Sequence, residues 1–171
     1  MRSRGLNIFY FEIGFYTILV DIESFLDTLE VEVKSYRVPV VDLIGVQTED
    51  PYRVLIATIL SSRTKDEVTE KAAERLFRLA PDCYSLMELS EEVIREAIFP
   101  VGFYKSKAAH LKKTGQLLAR HYGGAVPAEM DELLKLPGVG RKTANLVLSV
   151  GFDNEAICVD AHVHRIMKLL R

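Results

Sequence analysis

Lys142 follows a Gly138-Val139-Gly140 triplet, and Asp160 opens a second helical pattern further along the chain. The surrounding stretch, Leu136-Pro137-Gly138-Val139-Gly140-Arg141-Lys142-Thr143-Ala144-Asn145, lies between two amphipathic runs. Glycines at 138 and 140 let the backbone approach a ligand without a Cβ in the way, and their N–H groups sit at the positive end of the helix that follows. Such a turn can hold a phosphate, with Arg141 and Thr143 extending the donor set; the same residues can also make a plain turn between antiparallel helices. Lys142 falls in the first turn of that helix beside Arg141, at the helix's positive end. A free amine can attack an electrophilic carbon such as the C1′ of a damaged nucleotide, expelling the base and leaving a Schiff base. A lysine in this place can equally be a phosphate contact alone. Asp160 precedes Ala161-His162-Val163-His164 and reads as a helix N-cap. A carboxylate held there stays ionised, and it can stabilise positive charge on a sugar or assist proton transfer.

Holding these groups in place takes a framework that the periodicity predicts to be all-α, since a repeat of about 3.6 dominates and helix punctuation recurs where it breaks. Ile22, Phe25, Leu26 and Leu29 form one stripe of a first helix, whereas residues 38–45 read as extended or loop. Asp50-Pro51 caps and starts a buried helix through Leu60, Asp66 is expected to cap another to Ala80, and Ser90 a short one through Ile98. A longer amphipathic helix spans Lys105 to Tyr122, and Pro127 is expected to restart helix through Leu136. Thr143–Val150 continues after the glycine turn, and Asp160 begins a last helix running to Arg171.

The 171 residues, 49% of them apolar, suit one domain or one and part of a second. The formal net charge of -2 hides an asymmetry: residues 1–100 hold eleven Lys and Arg against eighteen Asp and Glu, and the rest eleven against six. A polyanion would therefore meet the C-terminal part, where Lys105, Lys107, Lys112, Lys113 and Arg120 form either a ligand-facing edge or a solvated helix face. Cys83 and Cys158 read as two thiols of a reducing, intracellular (cytoplasmic) compartment. The apolar run from Leu6 to Val20 follows Arg2 and Arg4 but is interrupted by Glu12 and is short for a membrane span; it reads as a packed arm or as residues ahead of the true start.

The stretch 136–145, together with Asp160 in Val159-Asp160-Ala161-His162-Val163, is very similar to the helix-hairpin-helix and Gly/Pro…Asp region of the endonuclease III family. The similarity extends through Val101-Gly102-Phe103-Tyr104, Lys107-Ala108 and residues 60–66, and covers roughly residues 20–171. The resemblance implies a helix-hairpin-helix DNA glycosylase fold with a six-helix domain at 44–154. A second helical lobe would be built from 21–43 and 155–171 and left incomplete, after an arm at 1–20. It places the family's catalytic lysine and aspartate on Lys142 and Asp160, and implies a DNA glycosylase and abasic-site lyase that removes oxidised pyrimidines from double-stranded DNA as a monomer. Gly138, Val139, Gly140, Arg141, Thr143, Lys107 and His162 are its expected DNA contacts.

Two positions depart from the family. Members commonly fill the vacated space in the duplex with glutamine and wedge an aliphatic side chain into the opposite strand; here those positions hold Arg63 and Phe103. Either can still enter a duplex, and each also has an ordinary reading, as a surface charge and a core aromatic. Many members carry a [4Fe-4S] cluster on four cysteines further along than residue 171, so no cofactor and no metal site is expected in this chain, which reads as a fragment or a shortened product. The rival readings are a non-catalytic helix-hairpin-helix DNA-binding module and an inactive fragment.

Overall fold

The computed structural model describes residues 8–13, 16–36 and 38–169. Arg2, Arg4, Leu6 and Arg171, used above, lie outside the described residues. Two strands, β1 (Ile8–Ile13) and β2 (Tyr16–Asp21), pair antiparallel with Ile13 opposite Tyr16 and Ile8 opposite Asp21. The arm expected at 1–20 is thus a pair of antiparallel strands over its described part, in keeping with its β-branched and aromatic residues.

From Ile22 onward every described element is a helix: α1 (Ile22–Val33), α2 (Val40–Thr48), α3 (Pro51–Ser61), α4 (Asp66–Leu79), α5 (Cys83–Glu88), α6 (Glu91–Ile98), α7 (Tyr104–His121), α8 (Met130–Leu133), α9 (Arg141–Phe152) and α10 (Ala161–Leu169). None of the described helices is long and apolar enough to cross a membrane. The chain divides into two compact units, one of Met1–Val38 with Val159–Arg171 and the other of Pro39–Cys158.

The Pro39–Cys158 unit is built around α3. Asp50 accepts from the Tyr52 N–H and Pro51 starts the helix, as expected; Tyr52 and every residue from Val54 to Leu60 are buried. Leu55, Ile56 and Leu60 have essentially no exposed surface, and full burial of each such side chain is worth about 1.5–3 kcal/mol. Helices α2, α4 and α9 pack on α3, while α5 and α6 pack on α7. In the other unit, Leu26 and Leu29 of the first-helix stripe are exposed and Phe25 is half-buried.

Three local expectations are corrected. Asp66 is the first residue of α4, not its cap; its Oδ2 instead accepts from Val40 N at 3.2 Å and so serves α2, whose N-cap Pro39 has no side chain able to do so. The segment 38–45, read as extended or loop, therefore contains most of a helix. After Pro127 only Met130–Leu133 is helical, since residues 134–138 already turn toward the glycines.

Candidate active site

The glycine turn enters α9 through two residues with different demands. Gly138 has φ +81, and a Cβ there would lie 2.9 Å from His110 Nδ1 on α7. Both backbone and packing therefore require glycine. Gly140 is the N-cap of α9 with φ -101, and a Cβ there would meet nothing within 4 Å. Nothing inside the protein requires a glycine at 140; what the missing Cβ leaves open is the outer face of the backbone. Val139 between them is buried and anchors the turn, with its N–H bonded to Leu136 O at 3.1 Å. Thr114, fully buried on α7, reaches Pro137 O at 3.5 Å. The turn is thus seated on α7 while Gly138 and Gly140 stay exposed. Arg141 and Lys142 are exposed in the first turn of α9, and Thr143 is half-buried. N–H groups without intrahelical partners, open backbone and two cations make an anion-binding surface.

At the N-terminal end of α7 lie Arg63 and Phe103, the latter its N-cap. Both are exposed non-glycine residues in left-handed backbone, with φ 54 and φ 57. Such conformations cost on the order of 1–3 kcal/mol each and persist only where surroundings hold them. The Arg63 guanidinium carbon lies 5.6 Å from the centroid of the Phe103 ring, within cation–π range. Phe103 is 62% exposed, so the reading of it as a core aromatic is set aside, and sequence-distant residues meet as one projecting pair.

Lys107, expected among the DNA contacts, is buried instead. Its Nζ donates to Leu60 O at 2.8 Å, Ser62 O at 2.6 Å and Thr64 Oγ1 at 3.2 Å. Lys112 likewise turns inward, capping the end of α5 at Met87 O and Leu89 O. The basic edge expected on α7 therefore reduces to Lys105, Lys113 and Arg120, which are exposed. Burial pushes the Lys107 ammonium down to about 8. Between that value and the ordinary lysine value the unfolded chain holds a proton that the folded chain has released, so stability contributed by this residue rises with pH across the window. Unfolding followed in denaturant from pH 7.5 to 10 should show this contribution as a slope of at most about 1.4 kcal/mol per pH unit, absent in Lys107→Met.

In the other unit, Asp160 caps α10: its Oδ1 accepts from the His162 and Val163 N–H groups, both at 2.9 Å. His162 is exposed in the first turn of that helix. Neither cysteine belongs to a ligand set. Cys83 is buried with its thiol toward Gly124 O at 3.4 Å, Cys158 Sγ lies 3.6 Å from Lys142 O, and no group of three or more His, Cys, Asp or Glu among the described residues could hold a metal ion. Two separated thiols do not supply the four thiolates that an iron–sulfur cluster takes, so the residues present do not fit one.

The family model for HhH-GPD superfamily base excision DNA repair proteins matches residues 56–171, which include the hairpin, Lys142 and Asp160. The chain belongs to this superfamily. Within the HhH-GPD proteins it is similar to endonuclease III of Thermotoga maritima, 50% identical over 121 residues that cover 71% of this chain and 57% of that relative. A solved structure described as a non-covalent endonuclease III–DNA complex is 35% identical with a TM-score of 0.74, over 85% of this chain and 65% of that one. Another, described as a trapped endonuclease III–DNA covalent intermediate, is 35% identical with a TM-score of 0.73 over the same shares. The chain thus spans little more than half the length of the Thermotoga relative. The helical HhH-GPD fold expected from the sequence is the one observed.

Sequence reasoning missed the inward course of Lys107 and the supporting roles of Thr64, His110 and Thr114. Only Thr114 carried a signal, as a hydroxyl at helical spacing from the apolar Leu111 and Leu118, and that signal is weak.

Proposed function

We propose that this chain acts in base excision repair as a DNA glycosylase and abasic-site lyase, removing oxidised pyrimidines from double-stranded DNA through a Schiff base on Lys142. The observation that carries the proposal is the placement of Lys142, exposed in the first turn of α9 directly after a turn whose open face at Gly140 can seat a phosphate. The relatives' names support it, as does the solved covalent intermediate of a similar protein with DNA. In the reaction the Lys142 amine forms a bond to C1′ as the base departs with the electrons of its glycosidic bond. The amine proton passes to the departing base, and the C1′–O4′ bond then breaks with its electrons going to O4′, which takes a proton from solvent, leaving a protonated C=N linkage to Lys142. Asp160 supports charge on the sugar or moves a proton, and Arg63 with Phe103 fills the duplex that the extruded nucleotide vacates. On this reading the protein acts inside the cell, in the compartment that holds the DNA, and as a monomer.

The test is borohydride reduction in the presence of a duplex carrying one abasic site. Hydride addition to C=N gives a stable amine, so a covalent protein–DNA band is expected, and its absence overturns the lyase reading. A second reading, a DNA-binding module without chemistry, is favoured by one observation: Lys142 lies exposed in the first turn of α9 beside Arg141, a place that serves phosphate contact as well as it serves chemistry. Salt-dependent DNA binding without trapping would select it.

The phosphate seat has its own test in the contrast between its glycines. Gly140→Ala meets no neighbour and should cost no more than about 1 kcal/mol, the usual difference between glycine and alanine at a helix N-cap, yet weaken binding to abasic duplex several-fold, because the added methyl faces the ligand. Gly138→Ala should instead cost about 1–3 kcal/mol of stability in denaturant unfolding, from its positive φ and His110. Unchanged binding by Gly140→Ala would remove the phosphate from this turn.

A further inference from the structure

The turn that carries Arg63 and the turn that carries Phe103 are tied together by a closed set of hydrogen bonds. An ammonium has three N–H donors, and Lys107 finds three acceptors: Leu60 O, Ser62 O and Thr64 Oγ1. The Thr64 hydroxyl donates to Ser62 O at 3.3 Å and accepts both from Lys107 Nζ and from Gly102 N, the latter at 3.1 Å, which fills its single donor and two acceptor positions. Gly102 closes the arrangement: a Cβ there would sit 2.5 Å from Arg63 O, so the two turns approach as near as backbone allows. Arg63 and Phe103 emerge from these turns in left-handed backbone, and the Arg63 guanidinium lies within cation–π range of the Phe103 ring.

We propose that Lys107 and Thr64 are positioning residues for duplex entry, holding the Arg63 turn against the Phe103 turn so that both side chains meet the DNA as a pre-assembled pair. The inference rests on the proposed reading of Lys142 and of Arg63 with Phe103, and adds residues that contact neither DNA nor the reacting atoms. Its physical basis is that a buried ammonium satisfied by two carbonyls and a hydroxyl defines one geometry for residues 60–64, whereas an apolar side chain of similar length would leave those acceptors without partners. The strain in Arg63 and Phe103 persists because that geometry is held. Entry by a prepared pair also avoids ordering two side chains at the moment of binding.

The experiment compares the full chain with Lys107→Met, Thr64→Val and Thr64→Ser. Borohydride trapping rates are measured on a duplex with one abasic site and on the same damaged strand alone, which has no duplex to enter. Lys107→Met and Thr64→Val should slow duplex trapping between about tenfold and a hundredfold and change single-strand trapping less than about twofold. Thr64→Ser, which keeps the hydroxyl, should retain the wild-type duplex rate. The double variant Lys107→Met with Thr64→Val should lose no more than the worse single variant, because both break one network. Equal losses on both substrates would show that the residues serve stability alone and would overturn the proposal, as would unchanged duplex rates. Should Lys107→Met fail to fold, the Thr64→Val and Thr64→Ser pair decides the matter alone. A wild-type chain that traps neither substrate overturns the Schiff-base reading and this inference with it, whereas normal wild-type trapping with indifferent variants removes the positioning role only.

Discussion

Replacing Lys142 by alanine is expected to reduce borohydride trapping on abasic duplex by about a thousandfold or more, since no Schiff base forms without the attacking amine. The fold should not change. Lys142 is exposed at the start of α9 and alanine is the strongest helix former, so unfolding in denaturant should move by no more than about 0.5 kcal/mol. Alanine alone does not separate the two roles open to this lysine, because it removes both an amine and a phosphate contact. Lys142→Arg separates them: it keeps the charge at the helix start but supplies no nucleophile at neutral pH. If Lys142 is the nucleophile, the arginine variant binds abasic duplex with the wild-type salt dependence and traps nothing. If Lys142 only touches phosphate, the arginine variant traps as well as wild type, and the alanine variant lowers the salt slope by about one with trapping retained. Trapping that survives in both variants moves the nucleophile elsewhere.

The parts of this site that were legible in the sequence are those whose physics is local. Gly138 marks a positive φ, Asp50-Pro51 and Ser90 carry their helix starts within three residues, and Asp160 bonds the N–H groups two and three positions along. What escaped has its partner far away in the chain. The start of α2 is satisfied by Asp66, twenty-six residues on, so nothing near Val40 announces a helix. Lys107 bonds atoms at Leu60 and Ser62, and a lysine at a helix start reads as a surface charge until those carbonyls are brought beneath it. Helix α5 escaped for a different reason. Its cap was present, Asp82 accepting from Ser85 N at 2.7 Å, but Pro81 and the shortness of Cys83–Glu88 made the segment look like a break.

These long-range links make α7 more than a core helix. Phe103 stands at its N-cap, Lys107 one turn on, His110 against Gly138 next, and Thr114 toward Pro137 after that. Positions 103, 107, 110 and 114 follow helical spacing, so one rigid face supports the Arg63–Phe103 pair at one end and the glycine turn further along. A helix rises about 1.5 Å per residue, and the distance between the Arg63–Phe103 pair and the glycine turn is therefore defined by a run of backbone hydrogen bonds and not by loops. On the proposed reading, a phosphate held at Gly140 presents the duplex to Arg63 and Phe103 at a set offset.

Asp160→Asn is expected to leave α10 intact and to lower the rate of damaged-base excision by about a hundredfold to a thousandfold. The prediction turns on separating the two tasks of this side chain. As a cap, Asp160 Oδ1 accepts from His162 N and Val163 N, and an asparagine amide oxygen accepts the same bonds about as well, so stability should change by less than about 1 kcal/mol. Alanine would remove the cap too and confuse the result. If the side chain also acts as a charge, the carboxylate stabilises the positive character that grows on the sugar while the bond to the base breaks, and the amide cannot do this. The two chemical roles open to it then diverge on a second substrate. At a preformed abasic site no base departs, so if Asp160 acts only on developing charge, Asp160→Asn slows excision from a duplex with an oxidised pyrimidine but leaves borohydride trapping at the abasic site near the wild-type rate. If instead it carries a proton from the attacking amine, both rates fall together. Measuring the two rates side by side, with unfolding as the control for the cap, assigns the carboxylate to one role; equal wild-type rates on both substrates would return Asp160 to capping alone.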